Sequence, residues 1–231
     1  MRLGLAIDLD TCVGCHACAT ACKEWNTSAM TAPLTDYEPY GKEPSGVWFN
    51  RVRHYEIGDY PNNKTTNFPM SCMHCENAEC VTVCPTGASY KRPEDGIVLV
   101  DQDKCMGCNY CAWACPYGAR ELDHESGTMK KCTLCVDRIY DQELPVEERK
   151  PACVLACPAH ARLFGDLDDS ESVISRVVRE RGGYALMPEL NYHPTNHYLP
   201  PRPRPTIPTN DLGRHSLAHK VKEWVNRVVE R

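Results

Sequence analysis

The sequence predicts an α+β protein of two small cysteine-bound units, one nested within the other, with long loops and an extended C-terminal arm. Three observations carry that expectation. Sixteen cysteines in 231 residues fall into four groups of four, a short strand followed by D-x-D-x-C occurs twice, and a proline-rich stretch stands near the C-terminus.

Composition narrows the classes first. A chain of this length ordinarily makes one or two domains with an apolar core. Phe is scarce, at 3, while Cys reaches 16, so something other than aromatic side chains must fill part of the interior. A net charge of -5 argues against nucleic acid as a partner, because a phosphate-binding surface makes a domain basic. No stretch approaches the roughly 18 apolar residues of a membrane span, and the longest apolar runs, such as Ile97 to Val100, are strand-sized. The expectation is a chain soluble by itself. The start, MRLGLAIDLDTC, reaches a cysteine motif by Cys12 and predicts no export signal of its own.

The cysteine groups take every thiol. Cys12, Cys15, Cys18 and Cys22 read CxxCxxCxxxC, and Cys105, Cys108, Cys111 and Cys115 repeat that spacing and add Pro116. Cys72, Cys75, Cys80 and Cys84 read CxxCxxxxCxxxCP, while Cys132, Cys135, Cys153 and Cys157 place 17 residues in the middle gap and close again on CP. Disulfides have no reason to reproduce this spacing. Zinc favours paired CxxC knuckles closed on one ion, which suits the second and fourth groups alone. A 4Fe-4S cube suits all four: one CxxCxxC loop wraps three corners, and the cysteine before proline reaches the other cluster of a pair.

The repeat fixes the pairing. LGLAIDLDTC precedes the first group and GIVLVDQDKC the third, and CPTGASYKR, CPYGARELD and CPAHARLFG follow the closing cysteines. The short distance from Cys84 to Cys105 makes residues 71–126 one ferredoxin-like unit, the inner one. The flanking groups then pair, giving an outer unit of residues 1–26 with 127–168. By the crossed-ligand rule the four clusters are held by Cys12, Cys15, Cys18 and Cys157; by Cys22, Cys132, Cys135 and Cys153; by Cys72, Cys75, Cys80 and Cys115; and by Cys84, Cys105, Cys108 and Cys111. Gly14 and Gly107 sit inside the loops, either to turn amides toward sulfide or as ordinary turn glycines.

Four such groups in this order, with GVWFNRVRHYE between the first two, SCMHCENAEC at the second and MKKCTLCVDR at the fourth, resemble the iron-sulfur subunit of membrane-bound molybdopterin oxidoreductases over residues 1 to 200. That family includes subunits of dimethyl sulfoxide reductase, polysulfide reductase, formate dehydrogenase and the cytoplasmic sulfite dehydrogenase. AIDLDTCVGCHACATACKEWN and GVWFNRV most resemble the dimethyl sulfoxide reductase and sulfite dehydrogenase branch. In nitrate reductase relatives a tryptophan replaces one third-group cysteine and leaves a 3Fe-4S cluster; with Cys108 present, the resemblance implies four 4Fe-4S clusters. It further implies a relay of single electrons between a molybdopterin catalytic subunit, beside the outer unit, and an integral membrane quinone-binding subunit, beside the inner one. Such a chain is a subunit of an oxidoreductase with no substrate-converting site of its own. It is membrane-associated through its partner, on the cytoplasmic face or in the periplasm as passenger of a twin-arginine-exported partner. A hydrogenase, formate dehydrogenase or polysulfide reductase complex is the nearer alternative, and a zinc-stabilised scaffold the distant one.

No GxSxG, HExxH, P-loop or nicotinamide fingerprint is present. His16, His74 and His160 adjoin cysteines but every corner is filled, which leaves them supporting or surface roles. Lys104, Lys130, Lys131 and Arg138 flank the motifs, as solvated charge or as groups that raise cluster potentials or dock a partner. Trp25 and Trp113 read as rings packed over a cluster. Residues 27–70 form a polar insertion with one strand-like run from Val47 to Ile57, a subunit-contact excursion or a surface loop. The tail, 169–231, begins with a helix near Ser170 to Arg181 stopped by Gly182 and Gly183. It continues as LPPRPRPTIP, residues 199–208, expected to run extended. Leu217, Val221, Trp224, Val225 and Val228 then line one helical face. Five cations (Arg214, Lys220, Lys222, Arg227, Arg231) against Glu223 and Glu230 give that helix +3. It reads as a partner-docking element, with membrane-surface contact or disorder as alternatives.

Overall fold

The computed structural model describes residues 1–26, 47–203, 205 and 221. Its elements are small, and each cysteine group lies at the junction of a short strand with a short helix.

The apolar run LGLAID becomes β1 (Leu3–Asp8), buried along its whole length. A strand buried on both faces reads as a continuous apolar run rather than an alternation, and β1 is indeed the middle strand of a three-stranded sheet. After the first cysteine loop comes α1 (Ala17–Asn26). The hairpin of β2 (Asn50–Ile57) and β3 (Lys64–Ser71) pairs over eight positions, from Asn50↔Ser71 to Ile57↔Lys64. The described part of the insertion is therefore a core-bearing hairpin and not a surface loop: Val47, Phe49 and Val52 are buried, and Phe68 stacks on Tyr198 with ring centroids 4.3 Å apart.

The second cysteine group leads into α2 (Glu79–Thr82), β4 (Ser89–Lys91) and β5 (Val98–Val100); the third leads into α3 (Tyr110–Trp113), β6 (Glu121–Asp123) and β7 (Thr128–Lys130). β4 pairs antiparallel with β5 and β6 with β7. The fourth group spans α4 (Val136–Ile139) and α5 (Ala152–Leu155), and the polypeptide then returns as β8 (Arg162–Asp166) to lie antiparallel on β1, Leu3 opposite Asp166. The tail helix is α6 (Val173–Glu180), capped by Ser172 Oγ accepting the Ser175 N–H at 3.2 Å. It ends at Gly182, whose φ of +62° suits a residue without a side chain.

The tail does more than the sequence reading allowed. β9 (His197–Leu199) pairs parallel with the other edge of β1, Ala6 beside His197. Leu199, expected to open the extended arm, is buried in this strand. Ahead of it, Asn196 accepts the Leu5 N–H (2.9 Å) and donates to the Cys72 carbonyl (2.9 Å), while Thr195 Oγ1 donates to the His74 carbonyl (2.7 Å). One buried segment thus fastens the β1 sheet to the second cysteine loop. Of the proline run beyond Pro203 only Pro205 is described, and the amphipathic helix, Val221 apart, lies outside the described residues.

The core is where the missing aromatics were to be replaced. Cys18, Cys22, Cys72, Cys132 and Cys153 are packed in one cluster with Leu3, Leu5, Val52, Ile97 and Leu134.

Candidate metal centres

Three closing turns repeat the same backbone bonds. The N–H groups of Cys84, Cys115 and Cys157 donate to Val81, Ala112 and Val154 three residues back. The carbonyls of those same cysteines accept from Gly87, Gly118 and His160 three residues on. All three of these last residues have positive φ, at 67°, 59° and 49°. The opening loops match as well. Gly14 and Gly107 have φ of 70° and 68°, and a Cβ on either would lie 2.6 Å from Asn67 Oδ1 or 2.4 Å from the Gly127 carbonyl. Glycine is required there by conformation and by space.

Each CxxxC segment carries its two thiols one helical turn apart, roughly 6 Å along the axis, and delivers them to different neighbours. Cys12, Cys15 and Cys18 line a hollow with Cys157. Cys72, Cys75 and Cys80 line a second with Cys115, and Cys105, Cys108 and Cys111 a third with Cys84. The three hollows are of similar size and open to solvent. The remaining four thiols are each buried, and after burial itself the charges that raise Cys22 further are those of Cys132, Cys153 and Cys135, opposed by Arg162. All sixteen cysteines are unpaired. Among the described residues, no three His, Cys, Asp or Glu side chains gather closely enough to hold a single metal ion. A structural zinc closes four ligands on one point; at three of these places four thiols line a hollow.

The electrostatics suit a ligand that takes thiolates. Burial, with help from neighbouring thiols, pushes Cys75 and Cys132 up to about 12, and burial takes Cys153 to about 11. Such thiols stay protonated until a metal displaces the proton. Around them stand the donors a sulfur anion needs. Backbone N–H groups of Ser89, Met129, Leu134 and Ala161 reach the Sγ atoms of Cys84, Cys105, Cys132 and Cys157 at 3.3 to 3.4 Å. Asn26 Nδ2 lies 3.5 Å from Cys135 Sγ. Cys84 is the exception in sign: burial acts to raise it, yet hydrogen bonds from Ser89, Thr86 and Ala88 leave it lowered. The donor set fits a four-thiolate cluster at each place.

The flanking residues separate clearly. His74 is fully buried, its Nδ1 accepting the Val98 N–H at 3.1 Å; His160 is exposed, and His16 Nε2 meets His54 Nε2 at 3.1 Å near the surface. Trp113 is 78% exposed, so it is not packed over a cluster. Trp25 donates to Asp137 (2.9 Å) beneath the Arg138 guanidinium, 4.4 Å from the ring centroid. Of the four cations singled out from sequence, Lys131 alone is buried, at 3% exposed. Two buried arginines, Arg120 and Arg162, escaped that reading. The signal was present: each stands five residues after a closing cysteine, in CPYGAR and CPAHAR.

Known proteins similar to this chain are iron-sulfur proteins. Residues 63–167 match the 4Fe-4S dicluster domain family and residues 9–25 a 4Fe-4S binding domain family. The protein is 64% identical to a sulfite dehydrogenase subunit of Allochromatium vinosum over 201 residues, 87% of this chain and 84% of that protein. It is 40% identical to a putative dimethyl sulfoxide reductase iron-sulfur subunit of Halobacterium salinarum, covering 85% and 78%. With one chain of the anaerobic dimethyl sulfoxide reductase of Escherichia coli it shares 35% identity over 91% and 93%.

Proposed function

Because this protein belongs to the iron-sulfur subunit family of the sulfite dehydrogenase and dimethyl sulfoxide reductase type, we propose that it relays single electrons through four 4Fe-4S clusters inside such a complex. The observation that carries the reading is the crossing of partners. Cys157 lies with the Cys12 loop, Cys22 with Cys132, Cys135 and Cys153, Cys115 with the Cys72 loop, and Cys84 with the Cys105 loop. Two ferredoxin-like units with exchanged fourth ligands, one nested in the other, account for all sixteen thiols.

The neighbours of each quartet support one order for the relay. Cys153 feels the charge of Cys18, Cys132 that of Cys72, and Arg120 those of both Cys80 and Cys111. Electrons accordingly pass from the Cys12 cluster to the Cys22 cluster, then to the Cys72 cluster and the Cys105 cluster, or the reverse. A molybdopterin catalytic subunit meets the outer end and a membrane quinone-binding subunit the inner end; the substrate is that of the sulfite dehydrogenase type. No helix among the described residues is long and apolar enough to cross a membrane, so attachment runs through the partner. The protein's own role is to hold the clusters, bury them and set their potentials.

Anaerobically purified protein should carry about 16 iron and about 16 sulfide per chain; a reproducible value near eight means that only one unit is real. Cys22→Ser should then disturb the cluster built on Cys132, Cys135 and Cys153, more than a hundred residues away, and spare the one built on Cys12. Electron paramagnetic resonance of the reduced protein distinguishes the two, and loss of the Cys12 cluster instead would refute the crossing.

A further inference from the structure

Four cations are buried among the described residues; Lys23 donates to the Val47 carbonyl and lies over the Trp48 ring, and the other three stand beside cysteines. Arg120 is 1% exposed, and Lys131 and Arg162 are each 3% exposed. Among the described residues none of these three has a carboxylate partner; the buried and half-buried ion pairs engage other arginines, Arg51 with Glu121, Arg92 with Asp95 and Arg181 with Asp8. An unpaired buried charge costs several kcal/mol, so each requires an anion that its neighbours must provide.

Their places answer what that anion is. Arg162 lines the hollow of the Cys12 quartet while its Nη1 points at Cys153 Sγ of the next quartet, 3.5 Å away, and Asn50 Oδ1 holds its Nη2 at 2.7 Å. Arg120 lines the hollow of the Cys72 quartet and donates to Cys80 Sγ at 2.9 Å, and it also donates to Ser89, which lines the hollow of the following quartet, where its charge acts on Cys111. Its Nη1 finds no protein partner. Lys131 stands between Cys72 and Cys132, donating to the Val98 and Cys132 carbonyls. Four quartets in a row have three junctions, and each junction holds one of these cations. The two arginines occupy equivalent positions of the repeat, whereas the equivalent position after Cys84 is Ser89, whose hydroxyl accepts from Arg120 at 2.8 Å.

We propose that Arg120, Lys131 and Arg162 are potential-setting residues, each placing one buried positive charge between two successive clusters and raising the reduction potentials of both. The inference rests on the four-cluster relay proposed above. A cluster gains one negative charge when reduced, and a fixed cation nearby favours that form. Position at the junction adds a second property: an electron crossing from one flanking cluster to the other stays beside the same charge. The hop therefore forfeits little of the stabilisation, and neighbouring potentials stay matched.

The test is a potentiometric titration of the full cluster-loaded complex, followed by electron paramagnetic resonance, on Arg120→Gln, Arg162→Gln and Lys131→Met beside Arg120→Lys and Arg162→Lys. In Arg120→Gln the Cys72 and Cys105 clusters should fall together, by about a tenfold shift in their reduced-to-oxidised ratio, or 59 mV for one electron. The two outer clusters should stay put. Arg162→Gln should move the outer pair, Lys131→Met the middle pair, and the Lys replacements should restore the wild-type values. Should a neutral variant lose iron, full iron with unmoved potentials in its Lys counterpart supports the role of charge. The proposal is overturned by full iron with unmoved potentials in the neutral variants, by shifts in only one cluster of a pair, or by equal iron loss in Gln and Lys variants. Iron and sulfide near 16 in the parent protein keeps failure here separate from failure of the relay itself.

Discussion

The Cys12 and Cys22 quartets adjoin each other, share α1 and use the same ligand, yet they occupy opposite environments. Cys22, Cys132, Cys135 and Cys153 are each between 4% and 7% exposed. In the other quartet Cys15 is exposed and Cys12 and Cys157 are half-buried. The far end behaves like the Cys12 quartet: Cys84, Cys105 and Cys108 are half-buried, with Met106, Tyr110 and Trp113 exposed around them. The Cys22 quartet thus lies wholly in the core, whereas each of the other three has one buried thiol and three that are half-buried or exposed. A buried quartet is screened from water and doubles as hydrophobic core, whereas under the proposed relay a quartet near the surface is where electrons would enter or leave.

That contrast is broken or sharpened most strongly by paired ligand replacements. Cys153→Ser places a hydroxyl in the core cluster that contains Leu5, Val52 and Leu134, and an unsatisfied buried polar group costs about 1 to 3 kcal/mol beyond the lost ligand. We expect loss of more than one cluster's iron and a lowered melting temperature. Cys15→Ser, at the surface, should cost at most about four iron per chain and leave melting nearly unchanged. Iron analysis and thermal unfolding under anaerobic conditions check both; equal effects would mean that burial does not distinguish the quartets.

A smaller effect is expected where the two halves are fastened. Asn196→Ala removes the acceptor of the Leu5 N–H and the donor to the Cys72 carbonyl, both buried. Two orphaned backbone groups should cost about 2 kcal/mol or more, measurable as a drop in denaturant midpoint with iron still near its full value. Unchanged stability would show that the β1 sheet and the second cysteine loop do not need this bridge.

How much of this was legible beforehand follows from which residues act locally. Cysteine spacing is a local signal, so the four groups and the loops around Gly14 and Gly107 could be read directly. Both glycines then proved obligatory, because each faces a neighbour too close for a Cβ, a contact that no spacing records. β9 was missed because three residues, HYL, carry no period; what makes them a strand is the open edge of β1, more than 180 residues earlier in the sequence. Residues 64–70 were read as insertion because KTTNFPM is polar and contains Pro69, and their strand character comes from pairing with β2. Arg120 and Arg162 were passed over because a charged residue after a turn reads as solvated. The repeat of A-R five residues after two closing cysteines is what should have prompted the opposite reading.

The smallest effect is expected at Trp113, where the contrast can be tested from its open side. Its ring is 78% exposed and lies 5.7 Å from Tyr110, itself 50% exposed, with Met106 at 66% on the same cysteine loop. Large apolar side chains gathered at a surface and left uncovered mark contact sites, and tryptophan is prominent among residues that anchor such contacts. Because almost no surface is buried by this ring within the protein, Trp113→Ala should change stability by less than about 0.5 kcal/mol. Iron content and cluster potentials should stay at parental values, since the residue donates to no thiol. What should fall is turnover through the complete complex, with turnover supplied by small redox dyes retained. A lowered melting temperature would place Trp113 in the fold after all; unchanged turnover through the whole complex would remove this end of the row from the electron path.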